Sequence, residues 1–168
     1  IDVTHTDVNG CSATSAPISV TVNALPATPI ITASGPTTFC FGNSVDLTSS
    51  YVGGNTWSNA ATTDAININA VGVYTIDVTQ TDANGCTSTS APINVTVNAL
   101  PATPIITASG PTTFCFGNSV DLTSSYVGGN AWSTTATTDI INISAVGVYT
   151  IDVTHTDVNG CSATSAPI

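Results

Sequence analysis

The chain has 168 residues, 42% of them hydrophobic, and every charged side chain is an aspartate: there are ten Asp and no Glu, Lys or Arg. A net charge of −10 with no cation to offset it excludes a phosphate-reading nucleic-acid partner and a polybasic membrane contact. Lysine Schiff bases, arginine clamps and Lys–Asn isopeptide cross-links are excluded with them.

A repeat organises the chain. Residues 1–75 and 76–150 align without a gap, identical at 65 of 75 positions, and residues 151–168 repeat 1–18 without a difference. Residues 76–93 depart from both flanking copies at Gln80, Ala83, Thr87 and Ser88. The run Asn23-Ala24-Leu25-Pro26-Ala27-Thr28-Pro29, and its copy at Asn98 to Pro104, reads as a short linker. The domain frame is therefore 1–25, the C-terminal hairpin of a preceding domain; 26–100, a complete domain; and 101–168, a domain lacking its last strand. Ile1 falls inside a strand pattern, so the chain reads as a window on a longer array.

In chain order, each segment alternates with period two rather than with a helical period. Val45 and Leu47 face one way, with Asp46 and Thr48 opposite. Trp57 stands alone among polar neighbours, as a core residue of the third strand does. Ile66 and Ile68 alternate with Asn67 and Asn69. Tyr74, Ile76 and Val78 alternate with Thr75, Asp77 and Thr79. Ile93, Val95 and Val97 close the unit. The fold class is all-β, in tandem immunoglobulin-like antiparallel β-sandwich domains. Leu47, Trp57, Ile66, Ile68, Tyr74, Ile76 and Val95 are the expected core, with their counterparts 75 residues on.

Candidate chemistry is sparse. His5 and His155 continue the inward row of the sixth strand, but the middle copy carries Gln80 there, so a polar strand-end residue suffices. No nucleophile–histidine constellation repeats with the module, so no catalytic residue is assigned and the chain does not read as an enzyme. Asp7, Asp82 and Asp157 each open an Asp-x-Asn-Gly run with a weak likeness to a calcium loop. A hairpin turn with glycine at positive φ accounts for the same run, so no cofactor is expected beyond that calcium candidate. Threonine-rich strands read as ordinary solvated sandwich faces.

The run Phe39-Cys40-Phe41-Gly42-Asn43-Ser44-Val45-Asp46-Leu47-Thr48, then Trp57-Ser58, then Gly72-Val73-Tyr74, then Asp82-Ala83-Asn84-Gly85-Cys86 resembles the Ig-like repeat of Bacteroidota surface proteins. The large relatives of that family are giant type IX-secreted adhesins, gliding adhesins among them. The resemblance covers the whole chain and implies an extracellular, cell-surface stalk. Its partners would be neighbouring repeats of the same chain and identical chains in a filament, with no nucleic acid and no membrane insertion. The rival expectation is a carbohydrate-binding accessory module of a secreted enzyme, with Phe41 and Tyr51 as an exposed aromatic platform.

An extracellular setting favours disulfides. Cys40 is expected at the turn between the first two strands and Cys86 past the hairpin after the sixth. In an Ig-like topology those points lie at opposite ends of a sandwich, about 30 Å apart for a nine-residue strand. Disulfides span Cα separations of only about 4.4–6.8 Å. Strand geometry thus favours an interdomain Cys40–Cys161 bond, with Cys11, Cys86 and Cys115 pairing outside the window. The alternatives are intradomain Cys40–Cys86 with Cys115–Cys161, or free and interchain cysteines.

Overall fold

The structure, a computed structural model, describes residues 1–168 and contains only strands, turns and loops. Residues 1–25 contribute a hairpin, β1 (Thr4–Thr6) with β2 (Ser12–Thr14), followed by an exposed tail. The first full sandwich holds β3 (Ile31–Ala33), β4 (Thr38–Cys40), β5 (Val45–Ser49), β6 (Asn55–Trp57), β7 (Ala65–Ile68), β8 (Gly72–Ile76), β9 (Val78–Thr81), β10 (Thr87–Thr89) and β11 (Ile93–Asn98). One sheet runs β3-β5-β7. The facing layer is built from β10-β9-β6 and β4-β11-β8, which are continuous because β8 leads into β9 and β10 into β11. This three-against-four arrangement is an Ig-like β-sandwich.

Alternation explains the layers. Val45 pairs with Ile68 and Leu47 with Ile66 across β5 and β7, so four apolar side chains point into one space. Trp57, Ile76, Val78, Val95 and Val97 meet them from the other layer. Leu47 and Val95 are fully buried, while Asp46 and Thr48 stay outside. Trp57 is buried with its indole N–H donating to the Thr63 carbonyl at 2.7 Å, which satisfies its one polar atom.

The second sandwich holds β12 (Ile106–Ala108), β13 (Val120–Ser124), β14 (Asn130–Trp132), β15 (Ile140–Ile143), β16 (Val153–Thr156) and β17 (Ser162–Thr164). Its β12-β13-β15 and β14-β16-β17 sheets repeat the first sandwich. Leu122, Trp132, Ile141 and Ile151 are buried as their counterparts are.

Three expectations need correction. Tyr74 is half-buried, because it lies at the rim and its hydroxyl donates to the Ala70 carbonyl at 2.9 Å. Ile143 is only half-buried and Tyr149 is 42% exposed, because no strand equivalent to β11 packs beside them. Cys40 does not sit in a turn between the first two strands. It ends β4, an additional short strand that pairs in parallel with β11.

Leu47 fills its site completely, so Leu47→Ala should lower stability by about 2–5 kcal/mol. Chemical denaturation followed by tryptophan fluorescence measures this, and a loss under about 1 kcal/mol would contradict the packing described.

Candidate functional site

The residues that distinguish this chain from a generic sandwich lie at the two ends of each domain. At the exit end, Cys40 closes β4 beside Asn98, and the Phe41 N–H donates to the Asn98 carbonyl at 2.8 Å. At the entry end, the hairpin joining β9 to β10 turns back toward the linker, with Ser88 Oγ 3.5 Å from Thr28 Oγ1. Cys40 and Cys86 therefore occupy opposite ends of one domain, and the intradomain pairings Cys40–Cys86 and Cys115–Cys161 do not form. Cys40 is instead bonded to Cys161, on the hairpin of the following domain, with Cα atoms 5.5 Å apart. Cys161 is buried, whereas its copy Cys86 is half-buried and Cys11 and Cys115 are exposed; those three are free thiols.

The linker is anchored as well as bridged. The Tyr126 hydroxyl donates to the Ala102 carbonyl at 3.1 Å, and Pro104 is fully buried. The first sandwich repeats this with Tyr51 and Ala27 at 3.0 Å. Tyr51 is thus half-buried against its own linker at the entry end, while Phe41, 51% exposed, lies beside Asn98 at the exit end, so the two rings belong to opposite ends of the sandwich.

Each Asp-x-Asn-Gly run is a hairpin turn. Asp82 Oδ1 accepts the Asn84 N–H at 2.8 Å and the Cys86 N–H at 2.9 Å. Gly85 adopts φ +79°, a conformation that disfavours any side chain. Asp7 and Asp157 make the same two bonds in their own turns. One oxygen of each carboxylate is therefore engaged by the backbone, and the turn that Asp157 closes carries Cys161, the cysteine bonded to the neighbouring domain.

His155 sits opposite Asn130 at the end of β16. Its ring stacks on Tyr126 with centroids 3.8 Å apart, and its Nδ1 lies 3.2 Å from the Gly128 carbonyl. Gln80 replaces it in the first sandwich, buried opposite Asn55. The histidine is thus a packing residue over the loop that carries Tyr126, and the Gln80 copy occupies the same place.

Sequence reasoning missed one buried polar cluster. Ser49 Oγ donates to Asn55 Oδ1 at 2.8 Å, while Asn55 Nδ2 donates to the Tyr51 carbonyl and to Asp64 Oδ1, each at 2.9 Å. Asp64 Oδ1 also accepts the Gly53 N–H at 2.7 Å. The Gly53-Gly54-Asn55 run was the available signal, since buried Asn requires partners at every polar atom. The cluster fixes the Tyr51 loop and, through Tyr51, the linker.

The sequence matches no known protein family and no curated protein. Among solved structures, it is similar to a chain in the crystal structure of a mouse coronavirus receptor-binding domain complexed with its murine receptor. That match is 16% identical with a TM-score of 0.43, covering 83% of this chain and 97% of the other. It is also similar to the fibronectin(III)-like modules of Clostridium thermocellum CbhA, at 16% identity and a TM-score of 0.38, covering 83% and 90%.

If the aspartates serve the turn alone, melting temperatures in calcium and in chelator should agree. A fall of several degrees on chelation would assign the metal. Asp82→Ala should cost about 1–2 kcal/mol through its two lost N–H bonds, readable by thermal denaturation at a matched pH.

Proposed function

We propose that the chain is a segment of an extracellular stalk, a structural rather than a catalytic element that holds a distal part of a long repetitive protein away from a surface. The observation that carries this reading is the Cys40–Cys161 bond, which links the exit end of one sandwich to the entry hairpin of the next. Two sandwiches joined only by a linker of six or seven residues would pivot. A second covalent connection beside the linker removes that pivot, as a second rivet does in a hinge.

Other features support the same reading. A disulfide persists in oxidising surroundings, which suits a secreted, cell-surface array. No helix in the chain is long and apolar enough to cross a membrane. The absence of Lys and Arg leaves no tryptic site, and the uniform negative charge opposes lateral clumping. Each domain extends about 35–40 Å along its strands, so length accumulates with copy number. The resemblance of the sequence to Bacteroidota Ig-like repeats, whose large relatives are giant adhesins, supports the same reading.

The test is the shape of the chain with and without its bridge. Small-angle scattering of the oxidised protein should give one extended maximum dimension. Cys40→Ser should broaden the distance distribution while both sandwiches keep their far-UV spectrum and fluorescence. An equally broad distribution for the oxidised parent would remove the argument for a stiff stalk. Saturable glycan binding lost on Phe41→Ala would favour the accessory-module reading instead.

A further inference from the structure

The hairpin turns hold the chain's only Asn-Gly pairs, Asn9-Gly10, Asn84-Gly85 and Asn159-Gly160; every other asparagine precedes a residue with a side chain. Asn before Gly is the dipeptide most open to attack of the following backbone nitrogen on the asparagine side chain, because glycine has no Cβ to shield that nitrogen. The turn requires the glycine all the same, since Gly85 and Gly160 both adopt φ +79°. Asn84 and Asn159 are exposed, and nothing lies within 4 Å of where a side chain on either glycine would begin. Water and solvent base therefore reach the reacting atoms freely.

The same turn opposes the reaction. The Gly85 N–H donates to the Asp82 carbonyl at 3.0 Å, and the Gly160 N–H to the Asp157 carbonyl at 3.1 Å. Each nitrogen must leave that bond before it can lose its proton and turn onto the asparagine Cγ. Asp82 Oδ1 also holds the N–H of Asn84 at 2.8 Å and that of Cys86 at 2.9 Å, which fixes the backbone on both sides of the labile pair. Asp157 does the same for Asn159 and Cys161, both at 2.9 Å. A carboxylate at this place further disfavours a neighbouring amide anion by charge repulsion.

We propose that Asn84 and Asn159 are sites of spontaneous succinimide-forming modification, with Asp82 and Asp157 as the positioning residues that suppress it while the turn is closed. When a turn opens, solvent base takes the glycine amide proton and the nitrogen attacks the asparagine Cγ. The new N–C bond closes a five-membered ring, and the side-chain nitrogen leaves as ammonia. Water then adds to one of the two ring carbonyls and breaks its bond to nitrogen, leaving aspartate or isoaspartate. One amide and one water thus become one carboxylate and one ammonium ion, with no change of oxidation state.

The two sites differ in consequence. Isoaspartate routes the backbone through the former side chain, adding a methylene to the loop that the Asp157 N–H closes on the Cys161 carbonyl. At Asn159 that loop carries the cysteine bonded to Cys40. The modification therefore alters the turn at the covalent joint without touching the disulfide, and adds a negative charge to a chain that has no positive side chain to offset it. The proposal does not depend on the stalk reading.

The test is incubation of the intact, oxidised chain at mildly alkaline pH, with peptide mapping by mass spectrometry and fragmentation that separates isoaspartate from aspartate. Conversion should concentrate at the Asn-Gly pairs and run about tenfold or more slower at Asn84 and Asn159 in the folded chain than in denaturant, because it requires local opening. Asp82→Ala should raise the rate about tenfold at Asn84 through its two lost N–H bonds, and leave Asn159 in the same molecule unchanged. Asp157→Ala should do the reverse. Asp82→Asn retains an accepting oxygen and should restore most of the protection. Amide exchange at Gly85 should quicken in Asp82→Ala and give a readout of turn opening independent of the chemistry. Conversion as fast folded as unfolded, a rise in Asp82→Ala that is absent or equal at Asn159, or conversion led by an asparagine outside the Asn-Gly pairs would each overturn the proposal.

Discussion

A single disulfide, between the last residue of β4 in one sandwich and the hairpin of the next, adds a second covalent connection between two domains already joined by the linker. Each sandwich is about 70 residues, small enough that its core alone gives modest stability. The chain has no cation with which to build ion pairs across a joint. Cys40 reaches Cys161 because β4 ends at the exit face, beside the strand that leads into the linker. The bond crosses 121 residues of sequence yet joins points that the fold places side by side.

Without lysine or arginine, the aspartates find backbone and amide donors instead. Asp82 closes its own hairpin, Asp64 gathers Gly53 and Asn55, and Asp46 accepts from Asn67 Nδ2 at 2.7 Å across β5 and β7. These charge-assisted bonds keep each carboxylate near water while stiffening a turn or a strand pair. The turn that Asp157 closes is the one that carries Cys161, so the electrostatics of the hairpin and the covalent joint serve the same geometry.

The two sandwiches, nearly identical in sequence, show what the central strand contributes. Where β11 is present, its neighbours are regular strands and Val95 and Val97 are buried. Where no such strand lies between them, the same flanking sequences are irregular, Phe116 is 81% exposed and Val148 fully so. Strand structure there is conferred by pairing rather than by propensity, since Val, Tyr and Thr are favoured in strands in either case.

The repeat, the all-β class, the alternation and most of the core were legible in the residues themselves. A half-buried strand must place apolar side chains on one face every second residue, and Val45, Leu47, Ile66, Ile68, Ile76 and Val95 do so. The turn at Asp82 was legible because Asn-Gly after Asp has few other uses. The burial of Tyr74 and Tyr149, the parallel β4–β11 pairing and the Asn55 cluster were not. Each depends on which strand lies beside which, and period two carries no information about neighbours. The interdomain Cys40–Cys161 pairing was favoured by the expected strand geometry, while near-identical copies with near-identical cysteines left the intradomain alternative open. The tertiary structure decided between those alternatives by setting the exit end of one sandwich against the hairpin of the next, since a disulfide requires two Cβ atoms to meet and sequence distance says nothing about that.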